Sequence, residues 1–179
     1  MNIKFYNSLF VVLFMELKSK EIESAYKATV DDSGKVVLKK KSRIRKGSKA
    51  RAAGSNFELK VRKDLQKKGW IVDKWSNNID LENGALHPAK RKYNPFSKVM
   101  VIGTGFPDFI CFQRMGKLYK IIGVEVKING SLSRIEKKKC KFYLEKRIFN
   151  EILVAKKRKI GKTAGVEYIN FSEIEKRMR

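Results

Sequence analysis

Two apolar runs that meet at a short turn constrain this chain more than any other feature. PDFICFQ (107–113) and LYKIIGVEVKI (118–128) flank Met115-Gly116, and both are rich in the β-branched and aromatic residues that suit a half-buried pleated surface. Strands joined by so short a turn pair directly, so the spacing predicts an antiparallel hairpin. Side chains two apart on a strand share a face. In GVEVKI, Glu125 and Lys127 therefore project from one face, and Val124, Val126 and Ile128 from the other. Burying a carboxylate and an ammonium in an apolar strand is costly unless they pair or bind something; a solvated outer face is the ordinary alternative. Asp108 starts the partner strand, behind Pro107 and the Gly103-Thr104-Gly105 stretch, and is expected to face Glu125 across the pair. Two carboxylates so placed repel each other and favour a divalent cation between them, with the charge of Lys127 alongside.

The flanking segments extend this hairpin into a mixed α/β domain. Ser55 suits the N-cap of a helix NFELKVRKDLQKKG that closes at Gly69. On its wheel Glu58 lies with Phe57, Val61 and Leu65, the stripe that should face the sheet; a first-turn Glu favoured by the helix dipole is the simpler reading. A strand, WIVDKWS (70–76), follows, and residues 77–99 read as a long polar loop. Ser133 with Glu136 forms a capping box opening SRIEKKKCKFYLEKR. NEILVAKK (150–157) is a strand, Gly165 leads into VEYINF, and Ser172 with Glu175 opens a short last helix. The order predicts a mixed sheet flanked by helices.

Upstream, residues 3–25 read as a helix and YKATV-DDSG-KVVL (26–38) as a β-hairpin. KKKSRIRKGSKARAAGS (39–55) holds no acidic residue and reads as a basic linker or arm. The division expected is an N-terminal extension with its basic arm over 1–47 and the main domain over 48–179. The apolar run IKFYNSLFVVLFMELK (3–18) is too short to span a bilayer. It also lacks the basic start and cleavage site of a signal peptide, so it should pack on the core or on a second subunit.

Charge narrows the partner. Lys and Arg total 42 against 18 acidic residues, a net +24, and so strong a field attracts a polyanion, most commonly nucleic acid. An anionic membrane surface or a ribosomal contact are the alternatives. The expected phosphate contacts are Lys39, Lys40, Lys41, Arg43, Arg45, Lys46, Lys49 and Arg51 on the arm, and Lys137, Lys138, Lys139 and Lys141 on a helix face. Lys90, Arg91 and Lys92, interleaved with Tyr93 and Phe96, suit a groove or an opened base. A solvated face is the plain alternative for each run. Cys111 and Cys140 have neither metal-ligand nor disulfide-framework spacing and read as core residues of a reducing, intracellular compartment. With His87 the single histidine, a His-rich zinc site is excluded. Any metal would be held by oxygen, which favours magnesium or manganese.

Pro107-Asp108 followed by Glu125-Val126-Lys127 resembles the PD-(D/E)XK nuclease superfamily, and GSNFELKVRKDLQKKGWIVDKWS (54–76) is similar to the start of its archaeal Holliday junction resolvase branch. The likeness covers roughly residues 52–157. It implies a restriction-endonuclease-like α-β-β-β-α-β core and a metal-dependent DNA endonuclease with Mg2+ or Mn2+ as cofactor. Asp108, Glu125 and the Val126 carbonyl would be metal ligands, Glu58 would complete the acidic cluster directly or through water, and Lys127 would orient the attacking water. Ser76 matches a position where resolvases carry a functional serine, although KWSNN lacks their Ser-Gly run. Lys137, Lys138 and Lys141 are candidates for a further helix residue. The substrate implied is branched or duplex DNA cut by a homodimer, since resolving a junction needs two symmetric cuts. A sequence-specific restriction or homing endonuclease is the alternative within the class. A catalytically silent nucleic-acid-binding module is the alternative outside it.

Overall fold

The structure is a computed structural model that describes residues 23–31, 34–89, 91–94, 99–102, 105–160 and 163–177. The chain divides into two compact units, Met1–Ala53 and Gly54–Arg179. Among the described residues no helix is long and apolar enough to cross a membrane.

In the first unit, β1 (Tyr26–Val30) and β2 (Val36–Lys40) form an antiparallel hairpin with Tyr26 opposite Lys40. Asp31 closes its turn by accepting from the Lys35 N–H at 3.0 Å, and Gly34 adopts φ +82°, which its missing Cβ permits. Of the helix expected over 3–25, only residues 23–25 lie among the described residues, and they are helical. The apolar run 3–18 lies outside them.

The basic segment is not a linker. Helix α1 spans Lys41–Lys67 and begins directly after β2, so the start expected at Asn56, behind a Ser55 cap, is fifteen residues too late. Arg, Lys and Ala are strong helix formers, and Gly47 and Gly54 cost only about 1 kcal/mol each relative to Ala. Helix α1 ends where expected, at Gly69 with φ +83°.

The second unit is mixed α/β, built on a five-stranded mixed sheet. In spatial order its strands are β11 (Thr163–Asn170), β10 (Glu151–Ile160), β9 (Leu118–Val126), β8 (Phe109–Met115) and β3 (Ile71–Lys74). β10 runs parallel to β9, and every other neighbouring pair is antiparallel. The β8–β9 hairpin is the one expected, with the turn one residue later, at Gly116-Lys117, where Gly116 has φ +62°. The alternation of these strands supplies two apolar layers. Phe109, Cys111, Ile122 and Val124 pack with Phe57, Val61 and Leu65 of α1. The other layer gathers Ile152, Val154 and Phe149 around Cys140 and Tyr143 of α2 (Arg134–Glu145). Fully burying side chains of this size contributes about 1.5–3 kcal/mol each, so these layers hold the sheet between its helices.

Residues 77–99 are not an irregular loop. β4 (Asn77–Asp80) pairs with β5 (Ala85–Pro88), and β6 (Arg91–Asn94) with β7 (Val99–Ile102). The first turn is closed by Asp80, which accepts from the Glu82 and Asn83 N–H groups, and Gly84 follows at φ +60°. Buried Ile79 ties this hairpin to the α2-side layer. The last helix, α3 (Phe171–Lys176), is capped by Asn170, whose side chain accepts from the Ser172 N–H. The expected cap, Ser172, is instead inside the helix.

Gly105 sits where the chain crosses between Trp75 and Asn77. A Cβ there would meet the Trp75 carbonyl oxygen and would lie 2.5 Å from the carbonyl oxygen of Asn77. Because backbone cannot swing aside, Gly105→Ala is expected to destabilise the protein by about 2 kcal/mol. Urea unfolding checks this: an unchanged midpoint would mean that the crossing is looser than described.

Candidate active site

The hairpin register brings the acidic pair together. Phe109 is opposite Val124, so Asp108, one step beyond, lies opposite Glu125. Two backbone amides tie them: the Asp108 N–H donates to Glu125 Oε2 at 3.2 Å, and the Val126 N–H donates to Asp108 Oδ2 at 2.8 Å. The Trp75 N–H holds the Asp108 carbonyl at 3.2 Å. Glu125 is only 4% exposed, the one buried charged residue among those described.

Burial of this kind disfavours ionisation, and a second carboxylate adds to the penalty. Burial first, and then the Asp108 charge, pushes the Glu125 carboxyl up to about 7. Asp108 is raised as well, by burial and by the Glu58 carboxylate, against the hydrogen bond from Val126. The two carboxyls therefore titrate as a coupled pair, losing their protons in two steps that belong to the pair rather than to either residue.

Lys127 supplies the countercharge. Its Nζ lies 3.0 Å from Glu125 Oε1 and 2.6 Å from Glu136 Oε1. Partial burial opposes its charge, but hydrogen bonds to Glu136 and Glu125 outweigh that and raise its pKa. Glu136 Oε2 accepts from the Ser133 N–H at 2.7 Å, while Ser133 Oγ accepts from the Glu136 N–H, completing the expected capping box. One carboxylate thus caps α2 and holds the lysine. Partial burial works against its ionisation, yet the Lys127 and Ser133 hydrogen bonds keep Glu136 below the usual carboxylate range. The sequence marked Glu136 as a cap but carried no sign of its link to Lys127.

Glu58 stands apart from this compact set. It is about one-third exposed, and its Oε2 lies 3.9 Å from Lys74 Nζ. Its charge and that of Lys74 both reach Asp108. Lys74 is the second residue missed from sequence, since only the antiparallel pairing of β3 with β8, Lys74 opposite Phe109, brings it to this end of the sheet.

The other expected residues are dispersed. Ser76 is exposed between β3 and β4, with its carbonyl accepting from the Ala89 N–H at 2.7 Å. Lys138 and Lys141 are exposed on α2, the latter 3.8 Å from Glu145. Lys139 is engaged internally: its Nζ donates to Asn78 Oδ1 at 2.6 Å and sits over the Phe106 ring. Lys90 lies outside the described residues, and Arg91 and Lys92 are on β6. Lys39, Lys40, Lys41, Arg43, Arg45, Lys46, Lys49 and Arg51 are all exposed, on β2 and α1 of the first unit. Cys111 and Cys140 are buried free thiols, and burial pushes Cys111 up to about 12.

The donors at the centre are hard oxygens. Among the described residues no group of three or more His, Cys, Asp or Glu is close enough to hold a metal ion. A cation here would use two carboxylates and backbone oxygen, a set that suits magnesium with most of its waters retained. Comparison with family models, with curated proteins and with solved structures gives no match to this chain.

Proposed function

We propose that the protein is a metal-dependent DNA endonuclease of the PD-(D/E)XK kind that selects branched DNA. The observation that carries this reading is the buried Asp108–Glu125 pair on adjacent strands, with Lys127 bound to Glu125 at 3.0 Å. Keeping two carboxylates together in an apolar layer costs stability that a purely structural site would avoid. A divalent cation or a proton relieves that cost. The chain order α1, β3, β8, β9, α2, β10, with β4 to β7 inserted before β8, also agrees with the α-β-β-β-α-β core of that superfamily.

Asp108, Glu125 and the Val126 carbonyl would hold Mg2+ or Mn2+, with Glu58 joining through water. When bound, the metal supplies charge neutralisation and acidifies water, which the high barrier to phosphodiester hydrolysis demands. The residues' own parts are distinct. Lys127 presents a fixed ammonium to the developing phosphate charge, Glu136 holds that ammonium in place, and the apolar layers around Glu125 exclude bulk water.

The net +24 supports a nucleic-acid substrate. The homodimer belongs to the junction-resolving reading, because two symmetric cuts need two sites. A cleavage panel of four-way junction, flap and linear duplex with magnesium or manganese tests it. Preference for the junction regardless of sequence is expected. Cutting of one linear sequence only would favour the restriction or homing type, and no cleavage of any DNA would leave a binding module.

Glu136 is a positioning residue in this scheme, with its own expected outcome. Gln also serves in a capping box, so Glu136→Gln removes the charge and spares the helix. Activity should fall by about 10- to 100-fold, mostly in kcat, with thermal stability nearly unchanged. Full activity in that variant would mean that Lys127 is held well enough by Glu125 alone.

A further inference from the structure

The first unit carries a basic surface that contains none of the residues assigned to the cleavage site. Between the β1–β2 hairpin and the start of α1 lies a hollow of about 580 Å³ lined by Tyr26, Leu38, Lys39, Lys40, Arg43 and Lys46, among others. A second hollow, of about 330 Å³, shares Lys39 and Arg43 and adds Lys27 and Arg51. Tyr26, Leu38 and Lys40 alternate with Lys27, Thr29 and Lys39 along the paired strands, so the two hollows open on opposite faces of the hairpin, and the first is a basic trough along its seam with the helix. No described carboxylate lines either hollow. The ion pairs among the described residues engage none of these cations.

We infer that this trough is a nucleic-acid-binding surface that grips a phosphate backbone. Four like charges, Lys39, Lys40, Arg43 and Lys46, line one concavity and repel each other, and an anionic polymer relieves that repulsion along its length. The shape favours a strand over a membrane: a bilayer is flat, whereas these cations line a groove. Tyr26, half-buried with the Lys40 ammonium 5.9 Å from its ring centroid, gives the groove an aromatic wall beside its charges. Arg43 and Lys46, three residues apart on α1, share one helix face. Phosphate contacts of this kind set affinity and orientation without reading sequence. The inference stands independently of cleavage, because the trough lies wholly within Met1–Ala53 and the acidic pair within Gly54–Arg179.

The test is binding of the full chain to a labelled random-sequence DNA duplex in chelator, followed by fluorescence anisotropy at several salt concentrations. The triple variant Lys40→Ala, Arg43→Ala, Lys46→Ala should reduce the salt slope by about 2.7, at about 0.9 per phosphate contact. It should then lose about 40-fold less affinity than wild type between 50 and 200 mM salt. Acetylation footprinting on the wild-type chain needs no variant: DNA should protect Lys39, Lys40 and Lys46. Unchanged affinity and slope in a folded variant, or unprotected lysines in bound wild type, would overturn the inference. So would binding to phosphatidylserine vesicles with none to DNA. Protection without any cleavage by the metal-loaded protein would sink only the nuclease reading.

Discussion

Asp108→Asn is expected to lower metal-dependent DNA cleavage by about 10³-fold or more while leaving DNA affinity the same or slightly tighter. The substitution is nearly isosteric. An asparagine oxygen can still accept from the Val126 N–H, which reaches Asp108 Oδ2 at 2.8 Å, so the strand pairing should survive. What disappears is a negative charge that would hold the metal and that now raises Glu125. Stability should therefore hold or rise, because a repulsion in a buried layer is removed. The opposite signs are the useful part. A carboxylate kept for structure gives lower stability on neutralisation, whereas one kept for chemistry gives lower activity and equal or higher stability. Single-turnover cleavage and thermal melting of the same preparations decide it. Cleavage within tenfold of wild type would remove Asp108 from the reaction, whatever the melting shows.

This pair was legible in the sequence because hairpin pairing is a local rule. Once the turn lies between Met115 and Leu118, each step back from the turn pairs one residue on each side, and Asp108 arrives at Glu125. The α2 capping box was legible for the same reason, since its two members are three residues apart. The buried stripe Phe57, Val61, Leu65 followed from helix period, but Glu58 beside it proved about one-third exposed. Residues whose roles depend on distant elements could not be read. Glu136 meets Lys127 because β9 delivers the lysine to the start of α2, and Lys139 is spent on Asn78 across 61 positions of sequence. The start of α1 failed differently. A plausible cap at Ser55 outweighed the helix-forming residues before it, although Gly47 and Gly54 are too cheap to stop a 27-residue helix. The two inserted hairpins were hidden by polar composition, and Asp80 and Gly84 were the turn signals to weigh.

The metal-free protein should lose stability as pH rises from about 4.5 to 7, a direction opposite to that of an ordinary paired carboxylate. The sign follows from which state binds the proton more tightly. Glu125 is pushed up to about 7 in the fold, by burial and then by Asp108, from 4.5 when unfolded. Below 4.5 both states are protonated and nothing is lost. Between the two values the folded state keeps a proton that the unfolded state has released, so stability falls, and above 7 it is flat again. The shift corresponds to a loss on the order of 3 kcal/mol, shared with Asp108 because the two titrate together. Glu136, Asp64 and Asp80 do not blur this window. Each sits below its usual value in the fold, so each contributes stability that is complete above its unfolded pKa and is lost only at lower pH. A divalent cation bound at the proposed site would invert the trend, since it would compete with the proton for the same oxygens. Its apparent affinity should rise up to tenfold per pH unit below about 7 and level off above. Melting curves at pH 5 to 8, in chelator and in manganese, should therefore diverge with pH for wild type and run parallel for Glu125→Gln. Parallel wild-type curves would mean that no cation binds at Glu125, and the proposed chemistry would have to be abandoned.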